Sequence, residues 1–95
     1  MRDQITRLVR QGSDLSLRQL FVLFECAEAG ATGVTVKALF EAGAKGLDKP
    51  GVTRAVDRLA ALGYAQRKEH PSDRRSVLVS LTAAGRRFTA AIEKT

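Results

Sequence analysis

The 95-residue chain contains one cysteine, one histidine, two prolines and no tryptophan. A single cysteine excludes an intramolecular disulfide and is typical of a reducing compartment. One cysteine and one histidine do not supply the ligands of an ordinary metal site, so we expect no metal and no cofactor. His70, Ser72 and Asp73 have the residue types of a hydrolase triad, but they are nearly contiguous and hold no nucleophile against a base. The sequence therefore does not indicate an enzyme.

Long apolar segments are also missing. The longest strongly apolar run, LFVLFECA, is far shorter than the roughly 20 residues of a membrane-spanning helix. The first residues, MRDQITRLVRQ, contain no apolar signal core. We therefore expect a soluble cytoplasmic protein with no membrane partner. A chain of this length, with 44% apolar residues, is enough for a single small domain over residues 1–95.

Acidic residues are fewer than basic ones, and the imbalance is local. The chain has 16 lysines and arginines against 10 acidic residues, which gives a formal charge of +6. Residues 49–75 carry seven positive and three negative groups, whereas residues 14–48 carry three positive and five negative groups. A basic excess concentrated in one segment favours a polyanionic partner.

Helix-start signals mark the first half of the chain. Apolar residues at helical spacing predict a short amphipathic helix over residues 2–11. Ser16 followed by Gln19 is a capping-box pattern, and the helix that it opens ends at Gly30. Thr35 predicts the cap of a third helix.

A turn separates this third helix from a fourth. The third helix is predicted over residues 36–42, with Leu39 as its main core residue. The segment GAKGLD interrupts the pattern, and Asp48 is a good N-cap for a helix over about residues 48–62, in which Pro50 is tolerated in the first turn. The fourth helix has an apolar face of Val52, Val56, Leu59 and Leu62 and an opposite face of Thr53, Arg54, Asp57 and Arg58.

The last third of the chain predicts a hairpin and a helix. Residues 64–69 and 76–81 have the composition of two strands joined by HPSDRR. A last helix is predicted to begin after Thr82. The order of elements predicts a mainly α fold with a small β-hairpin (α+β), a winged helix-turn-helix with its wing over about residues 64–81. In the second strand, the residues that alternate as in a half-buried strand are Val77, Val79 and Leu81.

The fourth helix has the residue types of a DNA recognition helix, which enters the major groove by its N-terminal half. Gly51 leaves room for close approach to DNA, and Arg54 has the forked donors that bind guanine O6 and N7. Thr53 suits a thymine methyl or a phosphate. The candidate DNA-binding residues of the helix are Lys49, Gly51, Thr53, Arg54 and Arg58. The alternative is an ordinary solvated helix face.

Two adjacent arginines lie at the tip of the predicted hairpin. Arg74 and Arg75 suit insertion into a minor groove, whose negative potential attracts guanidinium groups. Asp73 lies close enough to orient the Arg75 side chain by a charge-assisted hydrogen bond. The alternative is a charged turn that keeps an edge strand from pairing with other chains.

Two stretches, DLSLRQLFVLFECAEAG and DKPGVTRAVDRLAALGYAQRKEHPSDRRSVLVSLTAAGRR, resemble the winged-helix domain of MarR-type bacterial transcription regulators over residues 14–90. The resemblance implies a nucleoid-associated regulator that binds double-stranded DNA. It also implies that Gly51, Thr53 and Arg54 occupy the DNA-reading positions. By the same resemblance, Arg75 is expected to take the place of the minor-groove arginine, with Asp73 as its orienting partner.

The sequence departs from the family pattern at two places. About two additional residues lie in the turn between Gly43 and Asp48. The family dimerises through long terminal helices, whereas few residues precede Gly12 and 14 follow Leu81. We therefore expect a short form without those long helices, and we do not transfer effector binding to it.

Two questions stay open on the sequence alone. The terminal segments are candidates to pack within one chain or across a homodimer axis, through Ile5, Leu8, Val9, Phe88 and Ile92. A winged helix also serves as a protein-protein adaptor in some proteins, with only weak, non-specific binding to DNA. Arg54 and Arg75 discriminate between the two functions, because only a DNA-binding protein depends on them.

Overall fold

The computed structural model describes residues 2–10, 15–43, 46–73 and 75–93. The helices in these ranges are α1 (Arg2–Arg10), α2 (Leu17–Ala29), α3 (Val36–Ala42), α4 (Lys49–Ala61) and α5 (Ala83–Glu93). The strands are β1 (Val34–Thr35), β2 (Ala65–Glu69) and β3 (Val77–Leu81). None of these helices has both the length and the apolar character that crossing a membrane requires.

The predicted N-caps of α2 and α3 are confirmed. The Ser16 hydroxyl accepts the Gln19 backbone N–H at 3.1 Å, and the Gln19 side chain accepts the Ser16 N–H at 2.9 Å. The Thr35 hydroxyl accepts the Ala38 N–H at 3.0 Å. Because these bonds satisfy orphan N–H groups within one turn, the local sequence is enough to specify both helix starts.

The core lies between α2, α3, α4 and the sheet. Leu39 is fully buried, as predicted. The prediction for Leu62 is wrong: its side chain is 38% exposed, because it follows the last residue of α4 as the C-cap. The largest fully buried apolar side chains of the described chain are Leu23, Leu39, Leu59, Ile92, Val22, Val52, Val56 and Val79.

The hairpin is the larger part of a three-stranded antiparallel sheet with the order β1-β3-β2. Strand β1 was not predicted from the sequence, since a two-residue strand has no measurable alternation. It pairs Val34 with Val79. Val79 and Leu81 are buried as predicted, but Val77 is 39% exposed because it lies toward the tip, beyond the core.

Helix α5 is attached to the end of α4 and the start of the wing. The Thr82 hydroxyl donates to the Gly63 carbonyl and accepts the Gly85 N–H at 3.1 Å, so the predicted start of this helix is confirmed. The Phe88 ring stacks on Tyr64 with centroids 4.7 Å apart. A Cβ atom at Gly85 would lie 2.0 Å from the Tyr64 carbonyl oxygen, so close packing requires glycine there.

Helix α1 packs against α5 in the same chain. The Arg7 guanidinium donates to the carbonyl of Ile92, whose side chain is fully buried. Leu8 is partly buried, whereas Ile5 and Val9 are 52% and 71% exposed. The apolar residues of the two terminal helices are therefore only partly covered by packing within one chain.

Candidate nucleic-acid interface

Helix α4 begins with the cap that the sequence predicts. The Asp48 carboxylate accepts the Gly51 N–H at 2.7 Å, and Pro50 lies in the first turn. A Cβ at residue 51 would lie 2.6 Å from the same carboxylate oxygen. A side chain at this position would therefore require the flexible Asp48 carboxylate to shift, so Gly51 has a local role in the cap besides its interpretation as a DNA-approach position.

The face of α4 opposite the core is exposed at Thr53, Arg54, Asp57 and Arg58, as the sequence predicts. The Thr53 hydroxyl donates to the Lys49 carbonyl at 3.2 Å. Because this bond holds the hydroxyl on the helix backbone, the Thr53 methyl is left as the group that suits a thymine methyl.

Lys49, in the first turn of α4, also contacts the preceding helix. Its ammonium nitrogen lies 5.7 Å from the centroid of the Phe40 ring on α3. This cation–π contact holds the positive charge beside the turn between the two helices.

A cleft of about 460 Å³ lies beside the N-terminal end of α4. Arg54 of α4 and the N-cap residue Asp48 line it on one side, and Arg18 of α2 lines it on the other. Arg18 also donates through Nε to the Gly46 carbonyl at 3.2 Å. Arg18 was not predicted from the sequence because it is 36 positions before Arg54, and only the packing of α2 on α4 brings the two arginines to one cleft.

The tip of the wing is ordered by bonds between near neighbours. The Asp73 carboxylate accepts the Arg75 backbone N–H at 3.0 Å and the Ser76 hydroxyl at 3.1 Å. The first of these bonds, followed by the second, lowers the pKa of Asp73. His70 Nδ1 accepts the N–H groups of Ser72 and Asp73 at 3.0 and 3.1 Å.

Asp73 differs in one detail from its predicted role. The expected bond from Asp73 to the Arg75 side chain is replaced by a bond to the Arg75 backbone, since the short Asp side chain reaches the N–H two residues ahead. Asp73 thus shapes the turn from which Arg75 extends. Arg74 lies outside the described residues, as do two residues of the turn between Gly43 and Asp48.

Arg75 also lies near a helix that sequence analysis did not associate with the wing. A cavity of about 170 Å³ separates the start of α3 from the wing, and Lys37 and Arg75 both line it. The Lys37 Nζ lies 3.9 Å from the Glu41 Oε1 on the same helix, so the two side chains form an ion pair. Basic side chains from α2, α3, α4 and the wing are therefore grouped around the helix-turn-helix.

The chain matches a known family over most of its length. The model described as MarR family matches residues 13–76. An HTH-type transcriptional regulator of Mycobacterium leprae, described as uncharacterised, is 33% identical to this chain over 96 residues. The alignment covers 95% of this chain and 64% of that relative, so the chain spans less than two thirds of the relative's length.

Two solved structures have a similar fold. Wild-type MarR from E. coli in its apo form has a TM-score of 0.72 at 30% sequence identity. A mutant of MarR from E. coli complexed with operator DNA has a TM-score of 0.79 at 28% identity. Each alignment covers 98% of this chain and 62% of the other chain, so the likeness includes the helix-turn-helix and the wing.

Proposed function

This chain belongs to the MarR family, and from that membership we propose that it binds double-stranded DNA sequence-specifically and regulates transcription in a bacterium. The observation that carries the proposal is the geometry of α4, whose core face is buried while Thr53 and Arg54 extend from the exposed face. The operator complex of E. coli MarR, which has the same fold, supports the same class of partner here. A regulator of this kind acts on the chromosome, in the cytoplasm and in association with the nucleoid.

In the proposed complex, the N-terminal half of α4 enters the major groove. Arg54 donates to guanine O6 and N7, and the Thr53 methyl contacts a thymine methyl. Gly51 keeps the first turn free of a side chain, so the helix backbone approaches the DNA. Lys49 and Arg58 contact backbone phosphates, which position the helix without reading sequence.

The wing enters the adjacent minor groove in the same complex. Arg75 provides the guanidinium, and Arg74 is its second candidate. Asp73 acts through the turn, because its bonds to the Arg75 N–H and the Ser76 hydroxyl fix the backbone from which the arginine extends.

We propose a homodimer as the DNA-binding unit. Ile5 and Val9 are one turn apart on α1 and both are exposed, so they provide an apolar stripe for a second copy of the chain. Phe88 and Ile92 would support the dimer indirectly, because the stacking of Phe88 on Tyr64 and the burial of Ile92 hold α5 in the fold. A two-fold dimer would present two α4 helices to half-sites about one helical turn apart.

The test is selection from a random duplex library at near-physiological salt, followed by sequencing of the bound fraction. We expect a palindrome with two half-sites, whose affinity falls steeply as salt rises because phosphate contacts release counterions. A single short motif would contradict the dimer and leave sequence-specific binding in place.

A different result would favour the adaptor function. If no sequence is enriched and weak binding disappears at moderate salt, the protein attracts DNA only non-specifically. In that case the exposed face of α4 and the wing would have a protein partner. Arg54→Ala and Arg75→Ala would then leave DNA affinity nearly unchanged.

A further inference from the structure

An ion pair joins α4 to the wing. Arg67 of β2 donates through Nη2 to the Oδ1 of Asp57 on α4. The two residues are ten positions apart in the chain, and both side chains are partly exposed. The bond therefore links two elements whose residues are candidates for different DNA grooves.

The register of the sheet gives Arg67 an unusual position. Arg67 is paired with Val79, and Ala65 two residues earlier is paired with Leu81. The other three side chains are buried, and directly paired residues share one face of a sheet. Arg67 thus extends from the sheet face that packs on the core, at the point where the core ends. At this position the Arg67 guanidinium is partly exposed and meets the Asp57 carboxylate.

Asp57 carries a negative charge on the face of α4 that is proposed to approach DNA. It lies on the exposed face of α4, one turn after Thr53 and Arg54. A carboxylate on a surface that approaches DNA repels the phosphates, whereas a carboxylate bonded to a guanidinium is compensated. The two residues therefore satisfy each other at a point between the core and the wing tip.

We propose that Asp57 and Arg67 are positioning residues, which set the angle between the wing and α4 so that Arg75 reaches the minor groove while Arg54 is in the major groove. The inference rests on the proposed function for its consequence, but the orientation itself is a property of the free protein. Neither residue reads a base.

The first experiment compares how much each arginine substitution weakens binding to the selected DNA. We call this ratio of dissociation constants, variant to parent, the penalty of the substitution. The dissociation constant is measured for Arg75→Ala and for Arg54→Ala, each in the wild-type and in the Asp57→Asn background. We expect the penalty of Arg75→Ala to fall by about two- to fivefold in the Asp57→Asn background, the range of a partly exposed ion pair. The penalty of Arg54→Ala should stay the same. Comparing penalties cancels the general effect of removing one negative charge.

Glu41→Gln is the matched control. It removes the same charge from an ion pair that lies within α3 and joins no second element. Both penalties should be unchanged in this background. If Asp57→Asn leaves the Arg75 penalty unchanged, or changes both penalties equally, the positioning role is wrong.

The second experiment needs no DNA. Spin labels on Ala61→Cys and Ser72→Cys report the distance between the end of α4 and the wing tip, both at exposed sites. Cys26 stays unlabelled because it is 1% exposed and burial, with the nearby Glu25 charge, raises its pKa to about 11. We expect one narrow distance distribution for the wild-type and the Glu41→Gln chain and a broader or shifted one for Asp57→Asn.

The two experiments separate the two proposals. If the wild-type chain selects no DNA sequence, the proposed function fails, and the spin-label distances alone decide whether the pair orients the wing. If DNA is selected and the label distribution of Asp57→Asn equals that of the wild type, the pair is an ordinary surface ion pair and the inference is overturned.

Discussion

Arg54 on helix α4 and Arg75 at the wing tip are the two described arginines that are proposed to enter the DNA grooves, and they are held in different ways. On α4, Arg54 is fixed by the burial of Val52 and Leu59 on the opposite face, so its position depends on contacts distant in sequence. At the tip, Arg75 is fixed by bonds within a few residues, chiefly the bond from its N–H to Asp73. The helix position therefore changes only when the core changes, whereas the tip can lose its order while the domain stays folded.

The largest expected effect comes from disrupting the packing that holds α4 on the core. Leu59→Ala removes a fully buried side chain that packs α4 on the core. We expect the free energy of unfolding to fall by about 2–5 kcal/mol, from lost burial and the cavity left behind. Urea denaturation followed by circular dichroism measures it. Asp73→Ala is the contrasting variant at the tip, and we expect it to shift the urea midpoint of unfolding much less. A shift equal to that of Leu59→Ala would contradict the difference between the two regions.

The next effect compares the two arginines directly on DNA. Arg54→Ala should weaken binding by about 1–3 kcal/mol and relax base preference at one position of the site. Arg75→Ala should weaken binding without changing preference in the major-groove positions. Fluorescence anisotropy with a set of single-base variants measures both properties. Arg87→Ala removes the same charge from the exposed side of α5 as a control. The assignment fails if Arg87→Ala matches the loss of Arg54→Ala.

A smaller effect tests the cap at the start of α4. Asp48→Ala should lower the free energy of unfolding by about 1 kcal/mol, because the Gly51 N–H loses its acceptor. In a Gly51→Ala background the same change should lower the free energy of unfolding by less, since the carboxylate must shift away from an added Cβ that would otherwise lie 2.6 Å from it. A double-mutant cycle by thermal unfolding measures this coupling. Additive losses would show that the carboxylate tolerates the Cβ.

The distinction between contacts close in sequence and contacts between distant segments also explains which features could be predicted from the sequence. Ser16, Thr35 and Asp48 were identified as caps because each bonds within its own turn, and the spacing of Val52, Val56 and Leu59 shows one face of a helix. Features that depend on packing between distant segments could not be predicted. The bond from Arg18 to Gly46 is one example.

The wing contains both features that were predicted from the sequence and features that were not. Its strands were predicted to within one residue at each start, but the central position of β3 depends on β1, which has no signal of its own. The role of Asp73 was assigned to the correct neighbour and the wrong atoms, because a pattern of charges suggests an ion pair where geometry favours the backbone N–H. Arg67 was counted only as a positive charge, since its pairing with Asp57 requires the register of the sheet.

The smallest effect concerns the protonation of the wing tip. The bonds from the Arg75 N–H and the Ser76 hydroxyl lower the pKa of Asp73 below its ordinary value of 3.8. A lowered pKa means that these bonds contribute order above the ordinary value and that the contribution is lost as pH falls through the lowered one. The Asp73 carboxylate should therefore keep both of its bonds between pH 7 and pH 5.

Carbon-detected NMR of the Asp73 carboxyl group gives its titration midpoint. We expect a midpoint below 3.8, and a higher midpoint in Ser76→Ala, because that variant removes one of the two donors. The Arg75 amide signal should shift with the same midpoint, since its N–H is bonded to the titrating group. The signals of Val52 and Val56 should not follow it, because the core that holds α4 contains no part of this bond. A midpoint at or above 3.8 would mean that the two bonds to Asp73 do not form in solution. A core that titrates with the tip would mean that the two regions are not held independently.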